Sequence, residues 1–518
     1  MPNINQRIML IDSVILENFR GYHSRQLIKF SDLTAFVGKN DVGKSTILEA
    51  LDIFFNEGKG VIKLDSQDIN KDAKAAANGA SVDIVVGVTF KDVPNNVVLD
   101  ENNSTTLADE YLLDDNQKLT VIKRYPNAGK AKVFIYANHP QHESCKDLLS
   151  KKQTELRKLT EGLKCDKNKN ASMRAAIRQQ HSEELNIGMQ EIDVTKEDAK
   201  NIWEKLKNYM PVYSLFQADR SNGDKDKEVQ DPLKEAVRHI LSQEDIQRKC
   251  AEIHTAVLAQ LQEVSNRTLE KIHEMNPELA NTLHPSLPSS NDLGWADVFK
   301  SVSITGDNDI PINKRGSGVK RMVLLNFFRA EAERVQHLAN SPGIIFAIEE
   351  PETAQHVVHQ QMLVNSLLNL SRNANTQVII TTHSSNIVRG LTFDNIRLIK
   401  DSANGRQVQM VDTSQLPYPS LNEISYTSFG EITEEYHDEL YSHIEYNNWM
   451  GQYKQGKTQI LYTQQRPDGT TFDKQLTITE KIRHQIHHPE NKHNARYSRE
   501  ELEQSINDMR SFIQRKRV

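Results

Sequence analysis

The chain has 518 residues, of which 26% are charged and 37% hydrophobic, and its formal net charge is −6. This length predicts two to four domains, and an acidic balance argues against a general polycation for nucleic acid, although a local basic patch could still form on assembly. No apolar run approaches the about 18 residues of a membrane span, and residues 1–7 lack the pattern of a signal peptide. Three widely spaced cysteines without a C-x-x-C pair predict neither a disulfide framework nor a zinc site, so we expect a cytoplasmic protein with no membrane partner.

Residues 38–46 read Gly-Lys-Asn-Asp-Val-Gly-Lys-Ser-Thr and match the phosphate-binding pattern G-x-x-x-x-G-K-[ST]. A strand predicted at 33–37 precedes them and apolar residues at helical spacing follow at 47–55, which is the context that the pattern requires. Lys44 would reach the β- and γ-phosphates, and the Ser45 hydroxyl would hold Mg²⁺. The predicted nucleotide-binding residues are Gly38, Asn40, Gly43, Lys44, Ser45 and Thr46. The motif therefore predicts binding of a nucleoside triphosphate.

The segments around this motif predict a β-rich lobe followed by a helical insertion. Alternating apolar runs extend over 8–90, and 118–125 and 132–136 are predicted to pair as antiparallel strands. From residue 145 onward the chain becomes highly charged. Helices are predicted at 151–162, 171–184, 196–209, 232–241 and 244–275, strands at 212–217 and 298–304, and a turn at 285–291.

A second half of the nucleotide site is predicted where two buried strands end. The apolar run 343–348 stops at Glu349 and Glu350, and the run 377–382 stops at His383. Carboxylates at the carboxyl end of a parallel strand face the ligand crevice. Glu349 is predicted to hold the Mg²⁺ shell through water, and Glu350 to polarise the water that attacks the γ-phosphate. His383 is predicted to contact the γ-phosphate or orient that water.

Residues 314–321 read Lys-Arg-Gly-Ser-Gly-Val-Lys-Arg and precede a predicted helix at 322–335. Small residues at a helix N-terminus can bind a second anion, here with Ser317, Gly318 and backbone N–H groups as donors. Two separate phosphate-binding helix ends in one chain suggest a site shared between subunits. The alternative is a simple capped helix.

Taken together, the phosphate loop, R-G-S-G, E-E-P-E and T-T-H-S resemble the motifs of ABC-type ATPases, in the branch of the OLD enzymes and SMC/RecF-like proteins. The resemblance implies an α/β fold: an ABC-type P-loop ATPase head with an inserted helical, coiled-coil-like subdomain and a helical C-terminal tail. It also implies ATP and Mg²⁺ as cofactors and a head-to-tail homodimer or higher even-numbered oligomer. In that dimer Ser317 and Gly318 contact the partner's nucleotide, Glu350 is the catalytic base and His383 is the switch. The expected domains are an N-terminal ATPase lobe (1–140), the insertion (141–290), a C-terminal ATPase lobe (291–415) and a partner-binding tail (416–518).

OLD-type nucleases carry a Toprim domain with an Asp-x-Asp metal pair, and no Asp-x-Asp occurs after Arg389. An ATPase without that module resembles the PtuA-like ATPases of Septu and retron-associated antiphage systems. The resemblance implies a partner HNH nuclease of the PtuB type and, in a retron system, a reverse transcriptase with its msDNA. Nucleic acid would then be contacted through the complex.

The C-terminal segment is predicted to be helical, and its last helix begins with a capping box formed by Ser498 and Glu501. Arg483 and His488 have the R-x4-H spacing of HEPN-type ribonucleases, which leaves open a self-sufficient nuclease, while a RecF/SMC-like DNA-repair ATPase is a further alternative. A metal site is not favoured among the local histidines, because no carboxylate or cysteine stands at ligand spacing in a rigid frame. These histidines are His484, His487, His488 and His493.

Overall fold

The computed structural model describes most of the chain outside a long central segment. The described residues are 9–39, 42–57, 60–93, 97–100, 103–217, 241, 243, 245–253, 255–256, 259, 343–353, 355, 357–402, 405–412, 420–466 and 468–517. The chain divides into two compact units, Met1–Ala218 with Gln336–Val518, and Asp219–Val335. In the second unit a helical stretch, 245–253, is described. Asn40, Ser317, Gly318 and the elements predicted at 232–241, 285–291, 298–304 and 322–335 lie wholly or almost wholly outside the described residues.

Strands and helices are numbered in chain order. The strands are β1 (Leu10–Glu17), β2 (Gln26–Lys29), β3 (Leu33–Val37), β4 (Asp83–Lys91), β5 (Val97–Asp100), β6 (Asn103–Thr105), β7 (Leu119–Pro126), β8 (Lys132–Pro140), β9 (Ile187–Asp193), β10 (Val212–Phe216), β11 (Ile344–Glu349), β12 (Thr376–Thr382), β13 (Ile396–Ser402), β14 (Gly405–Met410), β15 (Gln459–Gln465) and β16 (Thr471–Thr477). The helices are α1 (Lys44–Asn56), α2 (Lys71–Ala76), α3 (Gln153–Leu159), α4 (Asn170–Gln180), α5 (Glu197–Lys207), α6 (Val357–Ser371), α7 (Ser385–Arg389), α8 (Leu421–Phe429), α9 (Glu434–Tyr446), α10 (Met450–Lys454), α11 (Ile478–His487) and α12 (Arg499–Arg517). Short 3₁₀ turns lie at Leu148–Ser150 and Phe393–Asn395.

One sheet is parallel except at one edge. Its strand order is β10-β11-β12-β3-β13-β14, and only β14 runs antiparallel to its neighbour. Every residue of β3 and β12 is buried, as expected for central strands covered on both faces. The strands predicted at 33–37, 212–217, 343–348 and 377–382 are thereby confirmed.

A second sheet is fully antiparallel, with the order β2-β1-β4-β7-β8-β9. The predicted pairing of 118–125 with 132–136 is confirmed, with Val121 opposite Ile135. The edge strand β9 was not predicted, because its residues are mostly half-exposed and its apolar pattern is weak. Helices α3, α4 and α5 match the helices predicted on either side of it.

Helix α1 joins the two sheets. Ile47, Leu51 and Phe54 belong to the same buried cluster as Val86 of the antiparallel sheet and Ile379 of the parallel sheet. The helix that follows the phosphate loop is therefore also a central part of the hydrophobic core.

The C-terminal region, residues 420–517, is mainly helical, as predicted, and has its own core around Leu440, Ile482 and Ile506. The predicted capping box is present: the Ser498 N–H donates to Glu501 (2.9 Å) and the Glu501 N–H donates to the Ser498 hydroxyl (3.2 Å). The β15–β16 hairpin was not predicted. Among the described helices, none combines the length and apolar character needed to cross a membrane.

The side chain of Gln377, at the start of β12, forms hydrogen bonds with main-chain groups of residues far away in the sequence. It is fully buried, its side-chain oxygen accepts from the Ile11 N–H (3.0 Å), and its amide donates to the carbonyls of Ile11 and Ser31 (2.9 Å each). One side chain therefore pairs three backbone groups from two distant residues.

We predict that Gln377→Ala lowers the free energy of unfolding by roughly 2–4 kcal/mol, because it leaves buried backbone groups unpaired and creates a cavity. Urea unfolding followed by circular dichroism measures this. The matched control is Gln475→Ala on the exposed face of β16, for which we expect a change within about 0.5 kcal/mol. Equal effects of the two substitutions would contradict the assigned role of Gln377.

Candidate nucleotide site

The predicted site residues meet because three adjacent parallel strands end at the same edge. In the register of the sheet, Thr382 lies beside Val37, and Glu349 lies beside Thr381. The phosphate loop follows β3, the acidic pair ends β11, and His383 follows β12. Parallel pairing thus places Gly38, Glu350 and His383 at one edge, although they are far apart in sequence.

The phosphate loop encloses its own lysine. The Lys44 ammonium is buried and donates to the carbonyls of Gly38 (2.9 Å) and Lys39 (2.8 Å). Ser45 and Thr46 lie in the first turn of α1, as the motif requires. The loop therefore places a positive charge and a helix N-terminus together, and the two attract a phosphate.

Two glycines of the loop have no room for a side chain. A Cβ at Gly38 would lie 2.9 Å from the Ile399 carbonyl oxygen, and Gly43 has a left-handed backbone (φ 92°). A Cβ at Gly43 would also lie 2.8 Å from Nη1 of Arg406. The pattern requires glycine at both positions, which backbone packing explains at Gly38 and the left-handed backbone explains at Gly43.

Arg406, on the edge strand β14, packs its guanidinium against Gly43 and places Nε 3.6 Å from Asp401 Oδ1. Tyr22 also contacts Gly43, because its hydroxyl donates to the Gly43 carbonyl (3.0 Å). Burial raises the pKa of the Tyr22 hydroxyl well above its usual range, and the positive charge of Arg406 opposes the shift only in part, so the phenol remains a neutral donor. Sequence reasoning missed both residues, because neither belongs to a motif.

The two residues predicted to be catalytic, Glu350 and His383, contact each other. Nδ1 of His383 lies 3.3 Å from Oε1 of Glu350, and both side chains are partly exposed, at 42% and 30%. Glu350 has a left-handed backbone (φ 39°), and its N–H donates to the Thr381 carbonyl (3.0 Å). Such a conformation costs a non-glycine residue about 1–3 kcal/mol and tends to occur at functional sites. The predicted catalytic pair is therefore in contact.

Glu352 is a site residue to which the sequence analysis assigned no role. It is 3% exposed, and its Oε1 accepts from the Thr382 hydroxyl (2.7 Å) and the His383 N–H (3.0 Å). Its Oε2 is buried and has no hydrogen-bond partner among the described residues. The last acid of E-E-P-E thus fixes the backbone that presents His383.

The phosphate loop, the acidic strand end and the histidine that follows β12 are together typical of a P-loop ATPase. A family described as the AAA ATPase domain matches residues 9–388, and the chain belongs to it. The predicted α/β P-loop ATPase head with a helical C-terminal region is confirmed, and the chain is an ATPase.

The chain is also similar to Endonuclease GajA of Bacillus cereus (strain HuB5-5), with 24% identity over 441 residues, which is 77% of this chain and 59% of GajA. The chain thus spans less than two thirds of that endonuclease. Among solved structures it is similar to the SMC head domain from Thermotoga maritima (TM-score 0.32, 13% identity, 78% of this chain and 99% of that chain). It is also similar to the SmcHead bound to the C-winged helix domain of ScpA (TM-score 0.36, 13% identity, 78% and 98%). These superpositions are loose, so the fold assignment rests on the strand order and the family match.

An ATPase domain implies ATP and usually Mg²⁺, and the residues present fit both. A triphosphate can replace the carbonyls that now accept from Lys44, since the ammonium and the N-terminus of α1 converge there. Ser45 and the carboxylate of Glu349 offer the hard oxygen ligands that Mg²⁺ prefers. Bound Mg²⁺ would neutralise charge that develops on the phosphate oxygens.

We predict that Gly43→Ala raises the Kd for ATP by about tenfold or more, because a left-handed alanine is strained by ~1–3 kcal/mol and its Cβ displaces Arg406. Calorimetric titration with Mg-ATP measures the affinity.

The matched control is Gly79→Ala. Gly79 has nearly the same φ (89°), but nothing lies within 4 Å of the added Cβ. We expect unchanged ATP affinity for this variant, and wild-type affinity in Gly43→Ala would show that the loop does not need this geometry.

Proposed function

We propose that this chain is the ATPase subunit of an antiphage defence complex, in which the nucleotide state controls an associated nuclease. The observation that carries the ATPase role is the contact between Glu350 and His383 at the strand edge beside the phosphate loop. The link to a nuclease is supported by the similarity to an endonuclease and by the resemblance to PtuA-like ATPases.

In this proposal each of the predicted site residues has a separate task. Lys44 binds the β- and γ-phosphates, and Ser45 and Glu349 hold Mg²⁺, the latter through water. Glu350 accepts the proton of the attacking water. His383 hydrogen-bonds the γ-phosphate. Because its Nδ1 lies 3.3 Å from Oε1 of Glu350, the binding of the γ-phosphate also affects the position of the catalytic base.

The site is proposed to be completed by a second copy of the chain. The partial exposure of Glu350 and His383 leaves the γ-phosphate position accessible from outside the subunit. Ser317 and Gly318 of another copy would bind that phosphate through a helix N-terminus. ATP would then hold a head-to-tail dimer, or a higher even-numbered oligomer, in its closed state.

A chain of contacts leads from the switch histidine to the C-terminal region. Ser384 caps α7, and the Ser385 hydroxyl donates to Glu431 (2.9 Å), which lies between α8 and α9. A shift of the backbone at His383 would therefore change the distance between Ser385 and Glu431. We propose that the C-terminal region docks a PtuB-like HNH nuclease and, in a retron-associated system, a reverse transcriptase with its msDNA.

The alternative of a self-sufficient ribonuclease has less support. Arg483 packs over Tyr441 and pairs with Asp438 and His487, whereas His488 pairs with Glu490 (3.1 Å). The described contacts thus do not join Arg483 to His488. The other alternative, a RecF/SMC-like DNA ATPase, predicts hydrolysis stimulated by DNA and needs no partner nuclease.

We predict that Glu350→Gln lowers the ATP hydrolysis rate about 10²- to 10⁴-fold while ATP still binds, because the amide cannot accept the proton of water. With ATP present, this variant should elute at the mass of a dimer or larger assembly in size-exclusion chromatography with light scattering. Phosphate release measures the hydrolysis rate.

Glu503→Gln, on the exposed side of α12, is the matched control and should hydrolyse ATP at the wild-type rate. Unchanged hydrolysis in Glu350→Gln would refute the assignment of the base. If Glu350→Gln retains ATP but keeps the mass of a single chain, the proposal of a site shared between two copies is refuted.

We predict that the purified chain alone cleaves neither tRNA nor duplex DNA, and that cleavage appears when a PtuB-like nuclease is added. Gel assays with the chain, with the nuclease and with both measure this. Cleavage by the chain alone that disappears in His488→Ala would establish the ribonuclease alternative instead.

A further inference from the structure

Two histidines and a glutamate converge at the junction of β8, α4 and β9. Nε2 of His142 lies 3.6 Å from Oε2 of Glu184, and the rings of His142 and His181 stack with centroids 4.7 Å apart. One ligand atom from each of the three residues lies within 4.8 Å of the other two. In the described part of the chain, this is the one group of three histidine, cysteine or acidic side chains so arranged.

The main chain holds these residues in place. The N–H groups of Gln141 and His142 both donate to the Leu185 carbonyl (3.0 and 3.2 Å). The Glu184 N–H donates to the His181 carbonyl (2.9 Å). The segment after β8 is therefore bonded to the turn before β9, so the cluster does not depend on side-chain contacts alone.

The local charges favour a cation between the three side chains. His181 is the C-cap of α4, where the helix presents its partial negative charge, and Glu184 adds a carboxylate. Ligand atoms around a tetrahedral zinc ion lie about 3.4 Å apart, which is close to the 3.6 Å between His142 and Glu184.

We propose that His142, His181 and Glu184 bind a divalent transition metal of the Zn²⁺ class, with water as the fourth ligand. Imidazole nitrogens favour such a metal over Mg²⁺, so the site is chemically distinct from the nucleotide site. Glu184 is 72% exposed, which leaves room for the water. The bound metal clamps the α4–β9 turn to the end of β8.

One contact competes with the metal and sets its affinity. The Ser144 N–H approaches Nδ1 of His142 at 3.3 Å, which favours a proton on Nε2. A metal bound at Nε2 moves that proton to Nδ1 and breaks this long contact. We therefore expect a Kd of about micromolar order, rather than the tighter binding of a structural zinc site.

The test uses the full chain, stripped with EDTA and free of nucleotide. Isothermal titration with ZnCl₂ should show a micromolar site that is weakened about tenfold or more in His142→Ala and in His181→Ala. Titration with Co²⁺ should give visible d–d absorption that these substitutions remove. ATP hydrolysis in Mg²⁺ should be unchanged in both variants.

His493→Ala, at an exposed histidine outside the cluster, is the matched control and should keep the site. Glu184→Gln should weaken Zn²⁺ binding severalfold. Because the Glu184 side chain is too exposed to support the fold, this variant keeps the test decisive if a histidine variant fails to fold. Zn²⁺ titrations that are the same in wild type and Glu184→Gln, or that show no micromolar site in the wild type, would overturn the proposal.

Discussion

The parallel pairing of β11, β12 and β3 is the constraint on which the site depends. Neighbouring parallel strands end at one edge, so the acids after Ile348, the histidine after Thr382 and the loop after Val37 must lie together. The central strands are buried on both faces, and the hydrogen bonds of Gln377 to the main chain of Ile11 and Ser31 hold β12 against neighbouring segments. The arrangement of the predicted site residues thus depends on buried strands.

The site residues are held in place by contacts within the protein itself. Lys44 is held by two carbonyls, Glu350 is held in a strained backbone conformation, and Glu352 fixes the backbone at His383. Preorganised polar groups need little rearrangement when charge develops, which is how electrostatic stabilisation becomes effective. The strain at Glu350 is offset by the well-packed strands on either side.

Helix α1 gives the nucleotide site mechanical contact with the rest of the head. The helix begins at Lys44 and its apolar residues pack against both sheets. A closely packed core transmits small displacements and does not absorb them. The contact of Ser385 with Glu431 adds a route to the C-terminal region. These two connections are physical routes by which bound nucleotide could act on the rest of the head and on the C-terminal region, as the proposed control of an assembly requires.

The sequence by itself determined the phosphate loop, the acidic strand end, the histidine that follows β12 and most strands of the head. These follow from short-range patterns: a loop motif between a strand and a helix, apolar runs ending in acids, and a capping box at Ser498. Only the tertiary structure decided that Arg406 packs on Gly43, that Gln377 binds the main chain at Ile11, and that β9 completes the antiparallel sheet. The convergence of His142, His181 and Glu184 was decided there as well. Such contacts join segments far apart in the chain, and they depend on strand register and packing, which no local pattern of residues encodes.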